Sequence, residues 1–183
     1  MSKFKYICTF LLFAILSSCK DEIEFSDTIE QKLPPITSDG NGTFGCLVNG
    51  KLWLPKEYKD YARCNYYPWV DSKDLFGTLS IVSYCNKFEG GKTAAITIQL
   101  RKRVFGIGKH LVYRDNVNND IVKFRNDITY FEGNGIDTSN FIIISRLDSI
   151  ERIVSGTFQF NLLNLNNNLD TQKFTEGRFD LKF

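Results

Sequence analysis

From Thr43 to the end of the chain, apolar and polar side chains alternate. Ala94, Ile96, Ile98 and Leu100 share one parity, and Ala95, Thr97, Gln99 and Arg101 share the other. Val154, Phe158, Phe160 and Leu162 alternate with Ser155, Thr157, Gln159 and Asn161. Phe179, Leu181 and Phe183 alternate with Arg178, Asp180 and Lys182. A strand sends successive side chains to opposite faces, so each segment reads as one buried face and one wet face. Further strands are expected over 43–48, 51–54, 60–67, 75–86, 109–114, 121–125, 128–131 and 140–148. In the last, Phe141-Ile142-Ile143-Ile144 is apolar on both parities, which predicts a central strand.

The joints between these segments are turn sequences. Val48-Asn49-Gly50-Lys51 is a hairpin signal, because Asn-Gly accepts the two positive φ angles of a type I′ turn. Glu89-Gly90-Gly91-Lys92, Gly133-Asn134-Gly135 and Asn166-Asn167-Asn168 mark three more turns or loops. Pro55 to Tyr61 has room for one short helical turn, and no amphipathic helix is expected elsewhere after Cys19. About ten short strands joined this way predict an all-β fold, an antiparallel β-sandwich. A closed, lipocalin-like barrel is the alternative, since periodicity alone does not separate the two.

Ahead of the strands the pattern changes. Residues 20–42 are polar and acidic, carry Pro34-Pro35 and end in Ser38-Asp39-Gly40-Asn41-Gly42. Such a composition buries little apolar surface, so 19–42 is expected to be a flexible tether and 43–183 a single domain. Earlier still, Lys3 and Lys5 precede an apolar run from Tyr6 to Leu16, 11 residues long, followed by Ser17-Ser18-Cys19. A spanning helix needs about 20 residues, so the run reads as a cleaved signal over 1–18.

Leu16-Ser17-Ser18-Cys19 resembles the lipobox of bacterial lipoproteins. The resemblance implies cleavage before Cys19 and a lipid, including palmitate, on that residue. Lys20-Asp21-Glu22 resembles the signal that sends some Bacteroidota lipoproteins to the outer face of the outer membrane. The expected location is therefore the outer membrane, lipid-anchored, on either its cell-surface or its periplasmic face. Asp27-Thr28-Ile29 resembles the short O-glycosylation motif of Bacteroidota exported proteins.

Charge narrows the partners. Taking Lys3 and Lys5 from the 23 basic side chains leaves 21 against 21 acidic ones. This balance argues against nucleic acid, which calls for a basic surface. Arg101-Lys102-Arg103 reads as a solvated strand end. Cys46, Cys64 and Cys85 follow Cys19, and an oxidising compartment allows one disulfide among them. Three pairings are open; Cys46–Cys64 is favoured because both lie in early strands beside aromatic residues, which leaves Cys85 a buried thiol.

Three stretches carry a wider resemblance. They are Thr43-Phe44-Gly45-Cys46-Leu47-Val48-Asn49-Gly50-Lys51-Leu52-Trp53-Leu54-Pro55, Ser155-Gly156-Thr157-Phe158-Gln159-Phe160 and Thr175-Glu176-Gly177-Arg178-Phe179-Asp180-Leu181-Lys182-Phe183. Together they resemble a domain-of-unknown-function family of Bacteroidota lipoproteins. The resemblance implies lipoprotein status and a β-rich fold, and no activity.

Catalytic patterns are thin. His110 is the sole histidine, and its setting reads as a turn entering a strand, so a Ser-His-Asp or Cys-His arrangement is not expected. No zinc site is expected, because no Cys-x-x-Cys pair occurs. Asp115 to Asp120 is oxygen-rich but lacks the glycine and glutamate of a calcium loop, so it reads as a polar hairpin loop. Glu132, Asp137, Asp148 and Glu151 are the acids a glycosidase pair would draw on. The expectation is a protein without cofactor or metal that is not an enzyme. Its expected role is binding or envelope structure, held to the membrane by its N-terminal lipid, with a glycan or an envelope protein as partner. A carboxylate-dependent hydrolase of surface polysaccharide and a carrier of a small hydrophobic ligand are the alternatives. Tyr58, Tyr61, Tyr66, Tyr67 and Trp69 crowd one region, and Tyr66, Tyr67 and Trp69 are the candidate binding aromatics, exposed by a loop after Pro68.

Overall fold

A computed structural model describes residues 32–55, 62–71, 74–88, 92–103, 106–113, 120–127, 129–133, 138–167 and 169–183. Eleven strands form one antiparallel sheet. They are β1 (Thr43–Val48), β2 (Lys51–Trp53), β3 (Ala62–Asp71), β4 (Asp74–Phe88), β5 (Lys92–Arg103) and β6 (Gly108–Leu111). The rest are β7 (Ile121–Asn126), β8 (Thr129–Glu132), β9 (Phe141–Asp148), β10 (Ile153–Asn164) and β11 (Thr171–Lys182). The main path runs β2-β1-β11-β10-β8-β7-β5-β4-β3, and it curls into a half-barrel. The all-β, antiparallel fold is as expected, and the curled sheet is consistent with a β-sandwich or an open barrel.

β10 is forked. Its first half, Ile153–Gln159, pairs with β9, and its last residues, Leu163 and Asn164, pair with β8. A register shift between Ser155 and Gly156 bends the strand within its β9-paired half. Gly156 is required there: an added Cβ would overlap the carbonyl oxygen of Ile143 and come within 2.8 Å of the Phe179 ring. β9 is flanked by β6 and β10 as a central strand should be. Its two faces differ. Ile142 and Ile144 are buried, while Ile143 is exposed between Lys109 and Thr157.

The inner face is filled by the parity that the alternation assigns to it. Ala94, Ile96, Ile98 and Leu100 of β5 are buried beside Leu79 and Ile81 of β4 and Val122 and Phe124 of β7. Phe124 is a hub whose ring meets Phe88, Phe131 and Phe174 at 5.2–6.0 Å. A second series runs Trp53, Phe44, Phe158, Phe160, with centroids 5.1–5.7 Å apart. Edge-to-face and offset contacts of this kind add to the area that the rings bury. The Asn49-Gly50 turn has φ of 49° and 79°, both positive as type I′ requires, and the Val48–Lys51 pair closes it.

Four expectations are corrected. β3 does not end before Pro68 but runs through it to Asp71. Proline is tolerated there because β3 is the last strand of the path and its outer amide edge has no ladder to fill. β11 begins at Thr171, earlier than the alternation shows, because Glu176 takes a φ of 51° and the register with β10 shifts between Phe158 and Phe160.

The third correction concerns the tether. Its first part lies outside the described residues, but residues 32–42 pack on the sheet. Arg178 Nη1 donates to the Pro34 carbonyl (3.2 Å) and Arg146 Nη1 to that of Ser38 (2.7 Å). Asp180, only 1% exposed, accepts from Thr37 Oγ1 (2.7 Å), from the amides of Asp39, Gly40 and Asn41 (2.7–3.2 Å) and from Ser155 Oγ (2.6 Å). The compact unit therefore starts at Gln31, and 32–42 is a strap.

Fourth, Cys46, Cys64 and Cys85 are all free and buried, so the Cys46–Cys64 bridge is not formed. The two residues lie on β1 and β3, which share no ladder, and each packs in the core. Burial raises the thiol pKa of Cys46 and pushes that of Cys64 up to about 12. Disulfide exchange runs through the thiolate, which this environment suppresses.

Candidate functional site

Strands β3, β4, β5, β7 and β8 bury one face and leave the other open. Cross-strand partners share a face, so register alone shows which side chains meet there. One row runs Tyr84–Ala95–Arg125–Tyr130 across β4, β5, β7 and β8. The Leu165 amide donates to the Tyr130 carbonyl at 3.1 Å and extends this row by one exposed apolar residue. A second row runs Arg63–Val82–Thr97–Lys123–Glu132. A third runs Asn65–Ser80–Gln99–Ile121.

Tyr84 is 42% and Tyr130 44% exposed. Three strand spacings separate them, about 14 Å. Ala95 is a low floor beside Tyr84, and Arg125 is exposed between that floor and Tyr130. Lys123 Nζ stands 3.6 Å from Glu132 Oε2, Gln99 Nε2 donates to Ser80 Oγ (3.4 Å), and Arg101 Nη2 donates to Gln99 Oε1 (2.8 Å). By register this face carries Arg63, Arg101, Lys123, Arg125 and Glu132, and the Asp71–Asp74 pair falls at the same parity.

The aromatics singled out in the sequence separate. Tyr67 is 61% exposed and lies on the same face, at the β3 end. Tyr66, one residue away, points to the other side. Its ring meets Phe183 edge-on at 5.4 Å and joins β3 to the end of β11, so it is a packing contact between elements remote along the path. Trp69 lies in β3, but its side chain, like Tyr58 and Tyr61, is outside the described residues. Cys19 is also outside them. Sequence reading missed Tyr84, Arg125 and Tyr130 as a group. The available signal was parity: each occupies the wet position of its strand.

A cleft of about 460 Å³ opens elsewhere, lined by Pro34, Thr43, Phe44, Leu54, Pro55 and Ala62, with Lys32 at its edge. It lies where the strap and β1 approach the start of β3. Its lining is mostly apolar, and among the described residues no carboxylate or histidine lines it.

The acids considered for a glycosidase pair are engaged elsewhere. Asp148 Oδ2 and Glu151 Oε2 both bind Arg146 Nη2, at 2.9 and 2.8 Å. The Glu151 amide and the Arg146 side chain lower the pKa of Asp148, the opposite of what a general acid needs. Glu132 pairs with Lys123, and Asp137 is outside the described residues. The sole histidine, His110, places its Nε2 2.8 Å from the Gly106 carbonyl. Of the oxygen-rich 115–120 loop only Asp120 is described, and its Oδ1 accepts from the Arg101 amide (3.0 Å). Among the described residues no three His, Cys, Asp or Glu side chains gather as a metal would require.

Comparison with protein-family models, curated proteins and solved structures finds no match to this chain.

Proposed function

We propose that this protein is a lipid-anchored binding module of the cell envelope, held at the outer membrane through Cys19, that engages its partner with the outer face of β3, β4, β5, β7 and β8. The observation that supports the reading is the Tyr84–Ala95–Arg125–Tyr130 row. It places exposed rings and a guanidinium side by side on the outer face of the curled sheet. Rigid strands hold such groups with little ordering cost on binding. The opposite face is packed with Trp53, Phe124, Phe160, Phe174 and Phe179, so the interior favours a structural core over a ligand-carrying cavity. The lipid and its membrane rest on the N-terminal pattern alone.

Two measurements test the proposal. Cells grown with labelled palmitate should label the wild-type protein and not a Cys19→Ala variant; equal labelling of both refutes the anchor. A photo-crosslinking residue placed at Tyr84 or Tyr130 should capture a partner on intact cells, whereas one at exposed Ile150 should not. Capture only from Ile150 would move the binding surface elsewhere.

A further inference from the structure

The strap of residues 32–42 is held differently from the sheet beneath it. None of its residues is buried, Ile36 is 64% exposed, and the strap belongs to no strand. Three side chains of the sheet catch it. Asp180 accepts from Thr37 and from the amides of Asp39, Gly40 and Asn41, Arg146 donates to the Ser38 carbonyl, and Arg178 donates to that of Pro34. Each catch also has a partner on the sheet side. Asp180 accepts from Ser155 Oγ at 2.6 Å, Arg146 Nη2 binds Asp148 and Glu151 at 2.9 and 2.8 Å, and Arg178 Nη2 faces Glu176 Oε2 at 3.3 Å. Lifting the strap therefore strands no charge: water replaces the strap donors at Asp180, and both arginines keep their carboxylates. Below it, β11 stays laddered to β1 and β10, with the core on the opposite face. Hydrogen bonds won in competition with water each add little net stability, and they must offset the entropy of fixing the whole strap.

We infer that the strap is a latch, which opens and recloses as a unit while the sheet stays folded, with Asp180 as its main catch and Gly42 as its hinge. Gly42 has a φ of 73°, and a Cβ added there would meet nothing within 4 Å, so the backbone has room to turn. On one side of it the Asn41 amide donates to Asp180, and on the other Thr43 opens β1 directly opposite Asp180. So short a hinge returns the strap to its own sheet and does not let it reach a second copy. Where the chain is anchored at Cys19, as proposed above, a pull from the membrane meets the strap before β1. Opening then frees residues 32–42, up to about 36–40 Å of extended chain. The domain has a short reach with the latch closed and a long one with it open. The opening rests on the strap's own geometry, and only the gain in reach from a membrane rests on the anchor.

The test is native-state hydrogen exchange of the full-length protein in detergent, read by mass spectrometry over a series of low denaturant concentrations. The amides of Asp39, Gly40 and Asn41 should exchange more slowly than in a free chain, because each donates to Asp180. They should still exchange about a hundredfold or more faster than the amides of β10, with little dependence on denaturant, because a local opening exposes little surface. Gly42→Ala adds no contact but disfavours the positive φ of the closed form, so it should speed strap exchange about tenfold. Thr37→Val, which removes one donor from Asp180, should speed it several-fold. Strap amides that exchange at the free-chain rate overturn the latch, because the strap is then not docked. Strap amides that exchange only with β10, at the same denaturant dependence, overturn it too, because strap and sheet then open as one. A strap rate unmoved by both variants removes Gly42 as hinge and Asp180 as catch. Pulling on the unlipidated chain between Cys19 and Ile150→Cys, a position 92% exposed, should give a first lengthening of no more than about 40 Å before the sheet ruptures. Rupture in a single step overturns the gain in reach. The anchor is decided separately, by the palmitate labelling above.

Discussion

At Asp180 a buried carboxylate is held by hydrogen-bond donors. Burial alone would raise its pKa, but the hydrogen bonds from Ser155, Thr37 and the amides of Gly40 and Asn41 outweigh that and bring it down to about 2. Its folded pKa is thus below the unfolded value. The stabilisation is full above about pH 4 and is lost as pH falls toward 2. The loss should be about 2 kcal/mol. Denaturation curves at pH 6 and pH 2.5 should show it in the wild type, and Asp180→Asn should start lower and lack that share of the slope. An equal slope in both proteins would remove Asp180 as the cause. The same residue explains why Gly40 takes a φ of 74°: the turn aims successive amides at one oxygen pair.

Among the elements, β11 carries the most connections. It pairs with β1 on one side and β10 on the other, holds the strap through Asp180 and Arg178, and brings Phe183 to Tyr66 of β3. A chain stopped after Gly177 would lose buried Phe179 and Leu181 along with the Asp180 latch. Deleting one large core side chain costs about 2–5 kcal/mol, so losing two with a buried hydrogen-bonded network exceeds the stability of an ordinary domain. The truncated protein should show a disordered far-ultraviolet circular dichroism spectrum. A native-like spectrum with a cooperative melt would show that β1 and β10 hold the sheet without it. The elements themselves were readable along the chain wherever two-residue alternation was unbroken, as in β5 and β10. β3 past Pro68 and β11 before Arg178 were not. In the first case edge position, and in the second a register shift, decides what the local pattern leaves open.

At the scale of the whole molecule, the three core thiols report on the closure of the sheet. Cys46, Cys64 and Cys85 come from β1, β3 and β4, so opening either edge of the curl would expose at least one of them. Alkylation of the native protein followed by peptide mass spectrometry should leave all three unmodified on a timescale that fully labels them in denaturant. Rapid labelling of Cys64 alone would show that β3 opens while the rest stays folded. The same curl sets the candidate binding face. Tyr84 and Arg125 are 41 residues apart in the chain and become neighbours across Ala95 only because β4, β5 and β7 pair in that order.

The sequence by itself determines the strand class, most strand positions, the Asn49-Gly50 hairpin and which parity is buried. These follow from side-chain alternation and backbone preference, which act over a few residues. Tertiary structure alone decides the docking of the strap, the separation of Cys46 from Cys64, the inward turn of Tyr66 and the row of Tyr84, Arg125 and Tyr130. Each of these depends on register and strand order. Those are set by how the whole inner face packs, and no local pattern encodes that choice.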